Sequence, residues 1–273
     1  MPRVLAVTSG KGGVGKTNVA VNLSISLSLF GMEVLLLDAD MGLANVDVLL
    51  GIKPAYNLHD VLLKGRSVEE AVAEGPGGLK ILTGASGVQE LMQLPDETQK
   101  NFLQQIEQYC SRMDFVVVDT SAGIAPSVIN FLLAADEVLL VTSPEPLALT
   151  DAYALLKVLS TREEARGKSI SVIMNQIGSK EEALRSFDRL RRAAERFLNW
   201  EVRYLGSVAW DETVNIAVKQ QVPFQTHFAA SSCSRDMRKI AARLVSARQA
   251  GSADMGRFFT KIIEVPNEQR RSA

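Results

Sequence analysis

A glycine-rich segment near the N-terminus constrains the fold of this chain more than any other feature. Residues 10–17 read Gly-Lys-Gly-Gly-Val-Gly-Lys-Thr and fill every fixed position of the pattern GxxxxGK followed by Ser or Thr. An apolar run over residues 4–8 precedes the segment and predicts a strand, and a helical pattern over residues 17–30 follows it. The segment therefore predicts a P-loop, whose backbone N–H groups turn inward around phosphate oxygens.

Short runs rich in Val, Ile and Leu recur between helix-length segments, as expected for strands that are buried on both faces. The predicted strands are residues 4–8, 34–37, 79–82, 115–118, 137–141, 170–174 and 202–208. This alternation predicts an α/β fold with a doubly wound, mainly parallel sheet and helices on both faces. We expect one such domain over residues 1–250 and a separate C-terminal segment over residues 251–273.

Charge balance, cysteine content and hydropathy limit the classes of protein to which the chain can belong. The chain has 30 Lys and Arg against 31 Asp and Glu, so nucleic-acid binding would need a local basic patch. Cys110 and Cys233 lack any CxxC spacing and predict reduced, partly buried thiols. The N-terminus lacks the apolar region of a signal peptide, and no apolar run approaches the roughly 20 residues of a spanning helix. We expect a cytoplasmic protein.

The P-loop predicts a site for ATP and Mg²⁺. Lys16 is expected to bridge the β- and γ-phosphates, and the Thr17 hydroxyl is expected to bind the metal ion. The start of the following helix adds partial positive charge. The residues predicted to line the phosphates are Gly10, Lys11, Gly12, Gly13, Val14, Gly15, Lys16, Thr17 and Asn18.

Three carboxylates follow predicted strands. Asp38 and Asp40 end the second strand, and their spacing of two places both on the same face of an extended chain. Asp119 directly follows the run over residues 115–118, as in a Walker B motif, and is expected to contact Mg²⁺ through water. Each feature alone is weak, but their order along the chain predicts a hydrolytic nucleotide site.

Lys11 makes the loop resemble the deviant Walker A motif of the MinD/ParA family of ATPases. The resemblance implies a homodimer that sandwiches two nucleotides, in which Lys11 reaches the partner's ATP as an arginine finger does elsewhere. It also implies that Asp40 positions the attacking water, that Asp38 lies near the magnesium ion, and that residues 120–123 form the second switch. The implied activity is Mg²⁺-dependent, dimer-activated ATP hydrolysis, with Lys11, Lys16 and Asp40 as catalytic residues.

Two segments occupy the positions where relatives contact adenine. Asn175 follows a strand, and Ala209, Trp210 and Asp211 match a second adenine-lining segment in which Trp210 departs from the usual residues. The NKxD pattern of GTPases does not occur around Asn175. Asn175 could equally cap the end of its strand, because Asn favours turns.

The C-terminal segment has one apolar face. Met255, Phe258, Phe259, Ile262 and Ile263 follow helical spacing, with Lys261 beside them. The segment resembles the membrane-targeting helix of MinD-type proteins, which implies a peripheral position at the inner face of the cell membrane in the ATP state. The same pattern also fits a helix that packs on the domain, or one that docks in the monomer and is released in the dimer.

Residues 40–51 and 56–62 look most similar to the flagellar branch of the family, whose members are called FlhG, FleN or YlxH. That resemblance implies regulation of flagellar number and placement, with partners such as the GTPase FlhF, C-ring proteins or a FleQ-like transcription activator. A MinD-type division-site regulator and a ParA-type DNA-segregation ATPase remain alternatives. The arginines at 185, 189, 191, 192 and 196 are interpreted as a solvated helix face, so direct DNA binding is not expected.

Overall fold

The computed structural model describes residues 1–40, 45–84, 94–247 and 255–264. Within these ranges the chain forms one eight-stranded sheet in the order β3-β4-β2-β5-β1-β6-β7-β8. The pairs are parallel except that β3 runs antiparallel to β4. The strands are β1 Arg3–Thr8, β2 Val34–Ala39, β3 Ala73–Glu74, β4 Lys80–Leu82, β5 Phe115–Thr120, β6 Glu137–Thr142, β7 Ser169–Ile177 and β8 Arg203–Ala209.

Helices cover both faces of the sheet. The helices are α1 Lys16–Leu29, α2 Val46–Leu50, α3 Leu58–Lys64, α4 Val68–Ala71, α5 Asp96–Cys110, α6 Pro126–Ala134, α7 Pro146–Ser160, α8 Lys180–Leu198, α9 Glu212–Gln220, α10 Phe224–His227, α11 Ser232–Ser246 and α12 Met255–Glu264. Two short 3-10 helices, Pro76–Gly78 and Glu163–Ala165, precede β4 and β7. No helix in the described ranges combines the length and the apolar character needed to cross a bilayer.

The core lies on both sides of the sheet, which confirms the doubly wound fold. Along β1, Leu5 and Val7 pack against the layer that contains α1 and α11, and Val4 and Ala6 pack against the opposite layer. Alternate side chains of a strand point to opposite faces, so a continuous apolar run is required where both faces are covered.

The predicted strands are all present, with some differences at their ends. β2 continues two residues beyond the apolar run and β5 also ends two residues later, so Asp38 and Asp119 lie within strands. The short strand β3 was not predicted, because two residues carry no periodic signal. The predicted boundary between residues 250 and 251 lies outside the described residues.

The C-terminal helix α12 packs on the domain between α5 and α6. Phe259 meets Phe102 edge to face at 5.1 Å between ring centroids, and Phe258 lies 6.3 Å from Phe131. These rings are buried together with Met255 and Ile262, whereas Lys261 is exposed. The face predicted to bind a membrane therefore faces the core here, and it can reach a bilayer only if the helix undocks. The side chain of Ile263 lies outside the described part.

Candidate nucleotide site

The P-loop connects β1 to α1 in a conformation that leaves room for phosphates. Gly13 and Gly15 both have φ near +84°, the left-handed region that glycine adopts most easily. A Cβ atom added at Gly12 or Gly13 would meet nothing within 4 Å. No side chain caps the start of α1, so the first N–H groups of this helix can bind an anion.

Two neighbouring segments hold the loop in place. Gly10 lies against α7 so closely that a Cβ atom would come within 2.2 Å of the backbone of Asp151. On the other side, the Asn175 amide donates to the Val14 carbonyl at 2.8 Å, and the Gln176 amide donates to the Gly13 carbonyl at 3.3 Å. These contacts from α7 and β7 fix the shape of the phosphate cradle.

Lys16 and Asp119 form a buried ion pair below the loop. The Lys16 Nζ atom lies 2.7 Å from Asp119 Oδ1 and 3.3 Å from Thr17 Oγ1. Burial raises the pKa of Asp119, and the adjacent Lys16 ammonium opposes that shift. The three residues predicted to bind phosphate and metal thus lie together.

Asp119 also supplies the observation that tests the fit of a metal ion. Its second oxygen, Oδ2, is buried and lacks a hydrogen-bond partner among the described residues. A buried carboxylate oxygen without a partner is costly unless a cation or a water shell satisfies it. Together with the hydroxyl of Thr17, this donor set suits Mg²⁺, which binds through one or two carboxylates and substrate phosphates.

Asp38 stands beside Asp119 on the neighbouring strand, as its register partner. Burial raises the pKa of Asp38 to about 6, although backbone N–H groups of Asp40, Asn45 and Val46 donate to its carboxylate and oppose the shift. Those contacts measure 3.1, 3.3 and 3.4 Å. Asp38 therefore connects the metal side of the site to the start of α2.

Asp40 is held by Ser121, which follows β5, and by Asn45, which directly precedes α2. Ser121 donates its hydroxyl to Asp40 Oδ1 at 2.8 Å, and the Asn45 amide donates to Oδ2 at 3.3 Å. The predicted second switch also contacts the P-loop, since the N–H of Gly123 donates to the Ser9 carbonyl at 2.8 Å. The roles of Asn45 and the Ser121 side chain were not predicted. The position of Ser121 directly after a strand that ends in Asp119 and Thr120 is the signal that could have indicated its role.

Lys11 lies on the outer edge of the loop. Its ammonium is 3.4 Å from a Glu145 carboxylate oxygen just before α7, and both side chains are exposed. Two large apolar side chains, Ile124 and Leu147, are also exposed in the segments that flank this pair. Lys11 is thus positioned at the surface, apart from the buried pair formed by Lys16 and Asp119.

The residues predicted to contact adenine differ in what they do. Asn175 was predicted to follow its strand, but it lies buried within β7, which runs to Ile177, and supports the P-loop as described above. Trp210 is 61% exposed, and its backbone N–H donates to the Ile177 carbonyl. The Ala209 N–H donates to Asp236 at 3.3 Å, and Asn18 is half-buried in the first turn of α1. Contact of these residues with the base stays a prediction.

Asp211 joins the starts of two helices. Its carboxylate accepts from the N–H of Thr213 at 3.0 Å in α9, and from the N–H of Ser232 at 3.1 Å in α11. Burial alone would raise the pKa of Asp211, but hydrogen bonds from Ser232, Thr213 and Cys233 outweigh it and hold the pKa below its usual range. The structure gives this carboxylate a capping role that the sequence pattern did not predict.

Two interpretations of lesser features agree with the structure. Arg191 and Arg192 pair with Asp188 at 2.6 and 2.7 Å on the exposed side of α8, as a solvated face requires. Cys110 and Cys233 are buried, and burial raises the pKa of the Cys110 thiol to about 12.

Comparison with known proteins connects this site to a family. A family model described as an AAA domain matches residues 2–172. The antiactivator FleN of Pseudomonas aeruginosa is 41% identical over 244 residues, which cover 89% of this chain and 86% of FleN. The flagellum site-determining protein YlxH of Helicobacter pylori is 32% identical, covering 96% of this chain and 90% of YlxH.

Solved structures give the same result. The cell division ATPase MinD of Pyrococcus furiosus superposes with a TM-score of 0.71 at 25% identity, covering 91% of this chain and 100% of MinD. MinD of Pyrococcus horikoshii, solved in complex with Mg-ADP, superposes with a TM-score of 0.70 at 25% identity, covering 90% and 98%. The chain therefore belongs to the MinD/ParA family of P-loop ATPases, in the branch that contains FleN and YlxH.

Proposed function

We propose that this protein is an ATP-dependent dimerising switch that regulates flagellar number and placement, and that it associates with the membrane in its ATP state. The single observation that carries the proposal is the division of the site into two parts. Lys16, Thr17, Asp38 and Asp119 are gathered inside one protomer, whereas Lys11 lies at the exposed edge with Glu145. A complete site then needs a second copy of the chain.

The residues inside the protomer would hold Mg²⁺ and the phosphates. Thr17 and Asp119 would hold the metal ion with Asp38 beside them, and Mg²⁺ would neutralise charge on the phosphates. Lys16 is well placed to exchange its contact with Asp119 for phosphate oxygens. That exchange would leave both oxygens of Asp119 available to the hydrated metal.

Asp40 is proposed to orient the attacking water. Ser121 and Asn45 fix the rotamer of its carboxylate, and these residues come from the two segments that follow β5 and β2. A change in either segment would therefore move Asp40. This arrangement would couple the position of the water to the nucleotide state through two loops.

The dimer would form through the edge that carries Lys11. Exposed Ile124 and Leu147 supply apolar area on this edge, and Lys11 would exchange Glu145 for the partner's phosphates. The salt bridge with Glu145 is exposed, so its loss costs little, on the order of 1 kcal/mol or less. Dimerisation would thus bring a cation to each site without breaking a strong contact.

The flagellar role comes from the relatives. FleN is named an antiactivator and YlxH a flagellum site-determining protein, and both align over most of this chain. We propose the same role here, with FlhF, C-ring proteins or a FleQ-like activator as partner.

Release of α12 from the groove between α5 and α6 would expose its apolar face to the inner surface of the membrane. Two helices in a dimer would bind far more tightly than one.

Mixing two inactive variants tests the shared site. Lys11→Ala and Asp40→Ala are each expected to hydrolyse ATP slowly, but a mixed dimer holds one complete site. An equimolar mixture should recover about a quarter of the wild-type rate, because half of randomly paired dimers are mixed and each has one active site. The matched control mixes Lys11→Ala with the double variant Lys11→Ala/Asp40→Ala, which should recover nothing. Equal rates in the two mixtures would show that Lys11 does not act across a dimer.

Dimerisation and membrane binding need separate measurements. Light scattering on Asp40→Ala with saturating ATP and Mg²⁺ should give twice the monomer mass, and a persistent monomer would contradict the switch.

Co-sedimentation with vesicles should require both ATP and residues 252–273. Equal pelleting of the full and truncated chains would rule out α12 as the membrane contact.

A further inference from the structure

A cavity of about 520 Å³ lies at the end of the sheet where the strands begin, opposite to the end that carries the P-loop. It opens where α7 ends at Ser160, where α8 ends at Leu198, and where β7 and β8 begin at Ser169 and Arg203. Parallel strands begin at the edge opposite to their carboxyl ends, so nucleotide contacts cannot extend into this cavity. The cavity therefore needs an explanation independent of ATP.

Cations dominate the lining of the cavity. Arg162, Arg166, Lys168 and Arg203 line it, against the single carboxylate of Glu201. The whole chain has a formal net charge of -1, so this concentration of positive charge is local. Such an environment favours an anionic ligand.

The cations differ in how freely they can reach a ligand. Lys168 is half-buried, and its ammonium donates to the carbonyls of Leu133 and Ala135, at 2.8 Å for Leu133. These contacts fix the position of its ammonium group. Arg166 and Arg203 are exposed. Arg166 pairs with the equally exposed Glu163 at 3.4 Å, a weak contact that it can exchange for an anion, and both guanidinium groups suit the two-pronged geometry of phosphate recognition.

One side of the cavity is apolar. Leu198 and Trp200 are partly buried and pack against the core, and Asn199 between them adopts a left-handed conformation with φ of 51° that ends α8. Gly167 also lines the cavity, and a Cβ atom added there would meet nothing within 4 Å. A tryptophan with one anchored face, set beside arginines, is typical of protein surfaces at the membrane–water boundary.

Lys168 links the cavity to the C-terminal helix through the end of α6. Lys168 holds the carbonyls at the end of α6, and α12 packs against α6. Burial, and then the positive charge of the exposed Lys261 on α12, lower the pKa of Lys168 to about 8. Positive charge thus extends from the cavity to the helix that would enter the bilayer, which favours a lipid over a soluble anion.

We propose that this cavity binds the phosphate-bearing headgroup of an anionic phospholipid, with Arg166 and Arg203 contacting the phosphate and Trp200 lying at the start of the acyl region. The inference rests on the membrane association proposed above and deepens it, by assigning a headgroup site on the domain itself. The helix α12 would supply apolar insertion, and the cavity would supply selectivity for anionic lipid.

A direct titration tests this site without vesicles, ATP or dimerisation. Trp200 and Trp210 are the two tryptophans of the chain, so Trp210→Phe leaves Trp200 as the only tryptophan reporter. In this background, dihexanoyl phosphatidylglycerol below its micelle concentration should change the Trp200 emission saturably. Arg166→Gln/Arg203→Gln should weaken binding at least tenfold. The matched control, Arg185→Gln/Arg189→Gln, removes the same charge from the exposed side of α8 and should bind within twofold of the parent.

Several results would overturn the proposal. Dihexanoyl phosphatidylcholine binding as tightly as phosphatidylglycerol would show that the anionic headgroup is not recognised. Glycerol phosphate binding equally well would assign the site to a soluble phosphate, and a glutamate-rich peptide binding in place of the lipid would assign it to a protein partner. Equal losses in the two double variants would show a general charge effect. Since this titration needs no dimer, lipid binding here together with failed vesicle pelleting would contradict the ATP-dependent membrane switch alone.

Discussion

Asp38 and Asp119 are register partners on the adjacent parallel strands β2 and β5, so two buried carboxylates stand side by side below the P-loop. Among the described residues, Asp119 has a cation beside it, the ammonium of Lys16, and Asp38 has none. Asp38 depends on three backbone N–H groups instead. Burying these two carboxylates side by side therefore destabilises the folded chain, and a bound metal ion would offset that loss of stability.

This cost predicts a pH dependence of stability. Because the pKa of Asp38 is raised to about 6 from 3.8, the folded chain holds more protons than the unfolded chain between those values. The free energy of unfolding should therefore fall as the pH rises through this window, by about 2–3 kcal/mol from this group. Asp38→Asn removes the titration. In urea unfolding without nucleotide, the free energy of unfolding of the variant should rise relative to that of the wild type by this amount between pH 4 and pH 7. A difference that stays constant over this range would contradict the prediction.

Gly10→Ala should destabilise the fold. The added Cβ atom would come within 2.2 Å of the Asp151 backbone, so either the P-loop or α7 must shift. We expect a loss of about 3 kcal/mol in the free energy of unfolding. Gly12→Ala is the matched control in the same loop, since nothing lies within 4 Å of its Cβ position, and it should change stability by less than about 0.5 kcal/mol. Equal losses in chemical denaturation would show that α7 does not fix the loop.

Ser121→Ala should slow hydrolysis without weakening ATP binding. The substitution removes the 2.8 Å hydrogen bond that orients Asp40, and Asp40 is proposed to act on water and not to hold phosphate. We expect the single-turnover rate to fall roughly tenfold, as for the loss of one hydrogen bond to a charged group. Ser121→Thr keeps the hydroxyl and should restore most of the rate. A parallel loss of ATP affinity, measured by calorimetry, would show that Ser121 supports binding instead.

Phe102→Ala should make membrane binding less dependent on ATP. Phe102 is the α5 side of the ring contact with Phe259, so the substitution weakens docking but leaves the apolar face of α12 intact. Vesicle co-sedimentation without ATP should increase several-fold as the helix undocks more often. Phe187→Ala is the control, since Phe187 is buried on α8 against Tyr204, away from α12. It should lower stability yet leave ATP-free pelleting unchanged, and equal pelleting of the two variants would contradict release of α12.

The sheet and the phosphate site could be predicted from sequence because each rests on a local pattern. Apolar runs identify strands covered on both faces, and the P-loop requires glycines at fixed spacing between a strand and a helix. Asp38 and Asp119 were also predictable, since polar residues that follow such runs come together at one edge of a parallel sheet. The observed register between these two residues agrees with that reasoning.

Other features depend on contacts between distant segments. Asp211 caps two helices that begin 20 residues apart, Glu212 and Ser232, and a single sequence gives no sign of the second one. The face of α12 is apolar whether it meets a bilayer or the groove between α5 and α6, so its pattern left both arrangements open. The role of Asn175 in supporting the P-loop was obscured in the same way, because its partner Val14 lies 161 residues earlier.

The position of α12 also bears on how the molecule is made. This helix fills a groove between α5 and α6, yet the ribosome synthesises it after every strand of the sheet. The nascent domain can therefore assemble its P-loop and sheet while Phe102 and Phe131 still face water. Chaperones, or the membrane itself, would meet an open apolar groove during that interval, before the chain supplies its own cover.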